Sequence, residues 1–150
     1  MTVPGLIGSA VWSWRTWRLG DGILMAIGII EVNHVNVVVP RSLEETTKHF
    51  YGSVLGLKEI PKPITSQGRG GAWYQLGSVQ LHLSVRADAG DGEAGKGHVC
   101  YTVTDVGSAE EQLRAAGVEI IPDDQPIAGK PRFYVRDPGG NLIELAQASS

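Results

Sequence analysis

The chain has 150 residues, a formal net charge of -3 at pH 7 and a hydrophobic fraction of 42%. This length corresponds to one domain, which is large enough to bury most of its apolar surface without covalent cross-links. A slightly acidic chain without a basic block lacks the electrostatic footprint of a nucleic-acid-binding protein. The one cysteine, Cys100, excludes an intrachain disulfide and a zinc site built from several thiolates.

Residues 1–26 are predicted to form an N-terminal extension, in which three of the four tryptophans are concentrated. The apolar stretches of this extension are too short to span a bilayer. No lysine or arginine precedes them, so the segment is a poor secretory signal, and we predict a cytoplasmic protein without a membrane partner. Two alternatives remain for residues 1–24: an upstream extension before a biological start at Met25, or an appendage whose tryptophans pack on the core.

The first strand is predicted over residues 30–39, a β-branched run that Pro40 ends. Alternation along a strand places His34 and Asn36 on one face. The opposite face is apolar and carries Val35, Val37 and Val39. The histidine is therefore predicted to point away from a core that the valines enter.

A helix and three strands complete the first module, about residues 27–86. The capping box Ser42-x-x-Glu45 predicts where the helix begins, and Gly56 predicts its end. Strands are predicted at residues 57–60, 72–76 and 79–85. The last of them places His82 on a polar face. Between these strands, Arg69 lies in a glycine-rich segment that is either a plain surface loop or a loop over a substrate.

The same pattern starts again after the polar, glycine-rich linker of residues 87–96, and it forms the second module, about residues 97–147. The opening strand carries His98, a second capping box predicts a helix, and Gly117 predicts its end. The box is Ser108-x-x-Glu111. Strands follow at residues 118–121, 132–136 and 141–146.

The two halves repeat one βαβββ unit, so the sequence predicts an α+β fold of two modules over residues 27–147. His34 corresponds to His98, and His82 corresponds to Glu144. Two packed βαβββ modules would form an open curved sheet, a cup with helices outside. Equivalent positions of the two modules are then expected to converge.

The last predicted hairpin contains a carboxylate that needs a partner. Asp137-Pro138-Gly139-Gly140 supplies its turn. Glu144 is the one charge between Ile143 and Leu145, and a carboxylate among apolar residues requires a metal ion or a buried cation.

Four polar side chains at repeat-equivalent, mid-strand positions predict a metal site. They are His34, His82, His98 and Glu144. Three imidazoles and one carboxylate suit a divalent ion of Zn, Ni, Co, Mn or Fe(II). A subset of two histidines and the carboxylate would leave positions open for substrate or dioxygen.

This arrangement resembles the vicinal oxygen chelate superfamily, which includes glyoxalase I, extradiol dioxygenases, methylmalonyl-CoA epimerase, and the fosfomycin and bleomycin resistance proteins. The resemblance covers about residues 27–147. Four segments carry it: Asn33-His34-Val35, Phe50-Tyr51 with Val54-Leu55-Gly56-Leu57, Gly97-His98-Val99, and Asp137-Pro138-Gly-Gly-Asn141-Leu-Ile-Glu144.

The resemblance implies that His34, His98 and Glu144 are metal ligands and that His82 takes a fourth position. Glyoxalase I usually has glutamate or glutamine at that position, and in extradiol dioxygenases a nearby histidine acts as acid–base. Glu144, His82 and Tyr134 are the predicted catalytic residues: Glu144 or His82 would move a proton, and Tyr134 would donate a hydrogen bond.

Three functions follow from the resemblance. The first is a metal-dependent isomerase or lyase acting on a small substrate that chelates the ion through vicinal oxygens. The second is an Fe(II)-dependent extradiol-type dioxygenase, and the third is a non-catalytic ligand-binding or resistance module. Superfamily members are often dimers, so a homodimer is expected, with module pairing either within a chain or between chains.

Overall fold

The chain folds into two four-stranded mixed sheets, one from each predicted module. A computed structural model describes residues 29–87 and 97–149. The predictions for the N-terminal extension, for Met25 and for most of the linker lie outside these described residues. In the part of the chain that is described, no helix is long and apolar enough to cross a membrane.

The first sheet has the strand order β1-β4-β3-β2. Its strands are β1 (His34–Pro40), β2 (Lys58–Ile60), β3 (Ala72–Leu76) and β4 (Val79–Arg86). Strand β1 is parallel to β4, and the other pairs are antiparallel. Helix α1 (Glu44–His49) connects β1 to β2 and continues as a π-helical segment over Phe50–Val54. Strand β1 begins at His34, later than the predicted residue 30.

The second sheet repeats this order as β5-β8-β7-β6. Its strands are β5 (His98–Val103), β6 (Ile121–Pro122), β7 (Arg132–Arg136) and β8 (Leu142–Gln147). Strand β5 is parallel to β8, and helix α2 (Val106–Ala115) connects β5 to β6. Strand β6 is shorter than predicted and includes Pro122. The predicted α+β fold of two βαβββ modules is confirmed.

Both predicted capping boxes are wrong, although both helices end as predicted. Ser42 lies inside a 3₁₀ turn (Arg41–Leu43) that leads into α1, so its hydroxyl cannot cap the helix. In α2 the cap is Asp105, whose Oδ1 accepts a hydrogen bond of 2.6 Å from the Ser108 backbone N–H. An aspartate three residues earlier thus takes the position that we assigned to Ser108. Gly56 and Gly117 adopt the positive φ angles, 69° and 78°, that terminate helices.

One hydrophobic core is formed by the apolar faces of both sheets together with the helices. The buried side chains from the two modules include Val39, Leu81, Val135 and Ile143. Because successive side chains of a strand point to opposite faces, the polar faces of both sheets point away from this core. These polar faces carry the predicted ligands.

The predicted turn between β7 and β8 joins the two modules and is confirmed. The Gly140 N–H donates to the Asp137 carbonyl at 2.9 Å, and Gly140 has a φ of 85°. A Cβ on Gly139 would lie 2.4 Å from Cγ1 of Val39, so only glycine lets the turn approach β1 this closely. The Asn141 amide also donates to the Val38 carbonyl at 3.3 Å. Strand β8 therefore starts from a turn fixed on the first module.

Candidate functional site

The strand register places the predicted ligands at equivalent positions of the two modules. Strand β1 pairs with β4, and β5 pairs with β8. In each of these two parallel pairs, a histidine begins the first strand, and this histidine and the residue two positions after it each pair with a residue of the second strand. The pairs are His34 with Gln80 and Asn36 with His82 in the first module, and His98 with Leu142 and Cys100 with Glu144 in the second. The correspondence of His34 with His98, and of His82 with Glu144, is thus a property of the structure.

In the first module, His34 and His82 lie against each other. Their rings stack with centroids 4.2 Å apart and an interplanar angle of 17°. Trp73 stacks on His82 at 3.7 Å and 7°. Two parallel rings this close to a third must lie on its opposite faces, so the His82 ring is held in a sandwich.

Amide oxygens select the tautomer of both rings. The Asn33 Oδ1 lies 2.9 Å from Nδ1 of His34, and the Gln80 Oε1 lies 2.9 Å from Nε2 of His82. An amide oxygen only accepts hydrogen bonds, so these ring nitrogens carry the protons. In this tautomer the lone pair of a neutral ring lies on Nε2 of His34 and on Nδ1 of His82, and histidine ligands are usually oriented by such a second hydrogen bond.

Burial, and then the neighbouring His34, lower the pKa of His82 below its ordinary value. Partial removal from water disfavours the charged imidazolium, and a second imidazole nearby adds to this effect. At neutral pH the ring is therefore neutral. A neutral imidazole can bind a metal ion or accept a proton.

In the second module, Glu144 contacts the side chains of His98 and Arg132. Its Oε2 lies 2.8 Å from Nε2 of His98, and its Oε1 lies 3.5 Å from Nη1 of Arg132. Only 7% of Glu144 is exposed. The sequence predicted that this carboxylate needs a partner, and within the chain it has two.

Arg132 and Tyr134 lie on the same face of β7 as Glu144 does on β8. Tyr134 stands opposite Glu144 in the ladder, and its ring meets the His98 ring edge to face at 5.7 Å. Arg132 is fixed by Asp123, whose Oδ2 accepts from Nε at 2.7 Å. Burial, and then the Glu144 charge, raise the pKa of Tyr134, so its hydroxyl stays protonated at neutral pH. His98, Asp123, Arg132 and Tyr134 line a cavity of about 550 Å³.

Sequence reasoning missed two neighbours of the site. Cys100 stands opposite Glu144, and burial, followed by the charge and hydrogen bond of Glu144, raises the pKa of its thiol. Strand alternation already placed Cys100 on the face of His98, so this signal was available. Asp123, which pairs with Arg132, is the first residue of the loop after β6, and the sequence carried no comparable signal for it.

The sequence pattern of the Glyoxalase/Bleomycin resistance protein/Dioxygenase superfamily matches residues 31–145. The chain belongs to this superfamily. The predicted resemblance is confirmed. The matched range covers nearly all of both modules and contains the positions of the four predicted ligands.

Similar proteins come from several bacteria. The crystal structure of a glyoxalase family protein from Bacillus anthracis is 34% identical, with a TM-score of 0.74 over 83% of this chain and 100% of that chain. The Virulence protein STM3117 of Salmonella typhimurium is 27% identical over 68% of this chain and 74% of its own. The Ethylmalonyl-CoA/methylmalonyl-CoA epimerase of Cereibacter sphaeroides is 25% identical over 77% of this chain and 96% of its own.

In this superfamily member the predicted ligands form two pairs, one in each module. Among residues 29–87 and 97–149, no three histidine, cysteine, aspartate or glutamate side chains lie close enough to hold one ion. The donor atoms of each pair, imidazole nitrogens and a carboxylate oxygen, are of the types that bind divalent ions. Ligands at about 2.1 Å from an ion lie about 3 Å from each other, and the 2.8 Å between His98 and Glu144 is close to that spacing.

Proposed function

We propose that the chain is a metal-dependent enzyme of isomerase or lyase type, acting on a small substrate that presents two neighbouring oxygens to a divalent ion. The contact between His98 and Glu144 carries this proposal, because an imidazole nitrogen meets the oxygen of a buried carboxylate at ligand spacing. The epimerase among the similar proteins supports a reaction by proton transfer. His34 and His82 complete the proposed ligand set for Zn, Ni, Co, Mn or Fe(II).

When bound, the ion supplies positive charge that stabilises an oxyanion developing on the substrate. Glu144 or His82 takes a proton from the substrate and returns it, and the neutral imidazole of His82 suits this task at neutral pH. Tyr134 donates a hydrogen bond from its protonated hydroxyl into the cavity beside His98.

We further propose a homodimer in which the ligand pairs of two chains meet. His34 and His82 of one chain would face His98 and Glu144 of the other. The separation of the two pairs among the described residues supports this arrangement, since a site of four ligands is then incomplete without a second copy.

The metal proposal is tested by elemental analysis after reconstitution with each candidate ion and desalting. We expect a stoichiometric ion in the wild type and its loss in His98→Ala and Glu144→Ala. His49→Ala is the matched control, because His49 is an exposed histidine on α1 outside both pairs. If the two site variants retain as much metal as the control, the ligand assignment is wrong.

A complementation experiment tests the pairing between chains. His34→Ala and Glu144→Ala chains are co-expressed with different tags, and the heterodimer is purified through both tags. Pairing between chains leaves one intact ligand set per heterodimer, so metal returns to half of the wild-type content. Pairing within each chain leaves none, and the heterodimer then stays without metal.

The reaction class is tested with the loaded protein. Exchange of a substrate C–H proton with solvent deuterium, measured over a panel of 2-oxo thiohemiacetals and acyl thioesters, is the expected signature of proton transfer. Oxygen uptake with catechols by the Fe(II) form would instead support the dioxygenase. A chain that binds no metal but binds ligands would support the non-catalytic module.

A further inference from the structure

A second cavity, of about 310 Å³, lies on the first module beside His82 and Trp73. Three cationic side chains line it, those of Lys62, Arg69 and Arg86. No carboxylate belongs to its described lining. The whole chain carries a net charge of -3, so this concentration of positive charge is local and does not follow from composition.

None of the three cations has a carboxylate partner among the residues that the structure describes. The Lys62 ammonium donates to the carbonyls of Gly70 and Gly71, at 2.5 and 3.3 Å. Carbonyl oxygens position the ammonium but leave its charge uncompensated. Like charges that share a cavity repel one another, and an anion would relieve this repulsion.

Glu44 lies beside the loop of this cavity, and its charge is shared with partners outside the cavity lining. Its Oε1 accepts from the Gly71 N–H at 2.7 Å and lies 2.9 Å from the Lys48 ammonium. Glu44 forms no ion pair with Lys62, Arg69 or Arg86 among the described residues. Arg69 and Arg86 are exposed, so their guanidinium groups are accessible to a ligand from solvent.

We propose that this cavity binds the phosphate group of a phosphorylated small-molecule substrate. Two guanidinium forks and an ammonium match the several oxygens and the double charge of a phosphate better than a single carboxylate. His82 lines the same cavity, so the rest of the substrate lies beside a proposed ligand. The claim that the bound phosphate belongs to a substrate rests on the function proposed above. Binding of phosphate to the cavity needs no metal.

The test is isothermal titration of the full-length chain, stripped of metal by a chelator, with inorganic phosphate and with phenyl phosphate at constant ionic strength. We expect saturable binding of both, with phenyl phosphate binding more tightly. Arg69→Gln and Arg86→Gln each remove a charged hydrogen bond and should weaken binding about tenfold or more. Arg114→Gln is the matched control, because Arg114 pairs with Glu110 on α2 and does not line the cavity. It should change the dissociation constant less than about twofold.

Three results overturn the inference: no saturable binding, equal weakening by Arg114→Gln, or binding of inorganic phosphate without phenyl phosphate. The third result would assign the cavity to free phosphate. Titration of His98→Ala separates the two proposals, since that variant should lose metal and keep phosphate binding. If the wild type binds phosphate but no metal, the proposed metal-dependent enzyme is wrong and the anion site stands. If it binds metal but no phosphate, the anion site is wrong and the metal proposal stands.

Discussion

Replacing Tyr51 by phenylalanine should destabilise the fold by about 2 kcal/mol, because it removes a buried hydrogen bond to a charged group. Tyr51 has no exposed surface, and its hydroxyl donates to Oδ2 of Asp137 at 2.9 Å. Only 3% of Asp137 is exposed. The pair joins the helical segment of the first module to the β7–β8 turn of the second, so the variant reports on packing of the modules within one chain.

The magnitude follows from what Asp137 keeps after the substitution. Its carboxylate still accepts from the Asn141 backbone N–H at 2.9 Å and from the Asn141 amide at 2.8 Å. A charged hydrogen bond contributes about 1.5–3 kcal/mol, and the two remaining donors place the loss in the lower half of that range. Burial, and then the Asp137 charge, raise the pKa of Tyr51 far above its ordinary value. The hydroxyl is therefore present throughout the working pH range.

Two other buried tyrosines are matched controls for the same substitution. Tyr74, 1% exposed, donates to the neutral Lys48 carbonyl at 3.3 Å, so Tyr74→Phe should cost about 0.5–1 kcal/mol. The hydroxyl of Tyr101 is buried without a hydrogen-bond partner in the described structure. Because an unsatisfied buried hydroxyl is unfavourable, Tyr101→Phe should be neutral or stabilising.

Urea unfolding with linear extrapolation measures all three variants. A chelator is included, because a bound ion would add its own stabilisation. A double-mutant cycle with Asp137→Asn isolates the coupling between the two side chains. If Tyr51→Phe costs no more than Tyr74→Phe, or if Tyr101→Phe is the most destabilising of the three, the assignment of these hydrogen bonds is wrong.

Two further predictions concern ionisation. The pKa of Glu44 is lowered, and the hydrogen bond from Lys48 is the largest cause. The ionised carboxylate therefore stabilises the fold above the ordinary glutamate pKa of about 4.3. This contribution is lost as the pH falls through the pKa of Glu44 in the folded protein. Between pH 7 and about pH 3, Glu44→Gln should lose less stability in urea than the wild type, and equal losses would contradict this linkage. In the metal-free protein, Glu144→Gln should lower the pKa of Cys100 and speed its alkylation near pH 8, since the Glu144 charge and hydrogen bond add to burial in raising that pKa. A pH–rate profile identical to that of the exposed control variant His49→Ala would contradict it.

The strands and their faces could be predicted because each strand carries its own local signal. Apolar and polar residues alternate along β1, β4 and β5, and the alternation fixes which side chains share a face. The repeat also predicted which positions of the two modules are equivalent, because both βαβββ units have the same strand register. His82 and Glu144 could therefore be matched without any contact being known.

The helix starts and the contact of Asp123 with Arg132 could not be predicted in the same way. Ser42 and Ser108 both had the spacing of a capping box, but Asp105 competed for one cap and a 3₁₀ turn replaced the other. Propensity ranks such alternatives only weakly, and the surrounding chain decides between them. The ion pair between Asp123 and Arg132 depends on how a loop lies against β7, and the sequence of a loop has no periodic pattern from which its path could be predicted.

The charges of the two proposed ligand pairs differ, and this difference bears on the substrate that the proposed metal site would favour. The pair of the first module consists of two imidazoles, with His82 neutral at neutral pH, whereas the pair of the second contains one carboxylate. A divalent ion held by three neutral imidazoles and one carboxylate would keep one net positive charge. Such a centre favours a substrate whose reacting oxygens become negative.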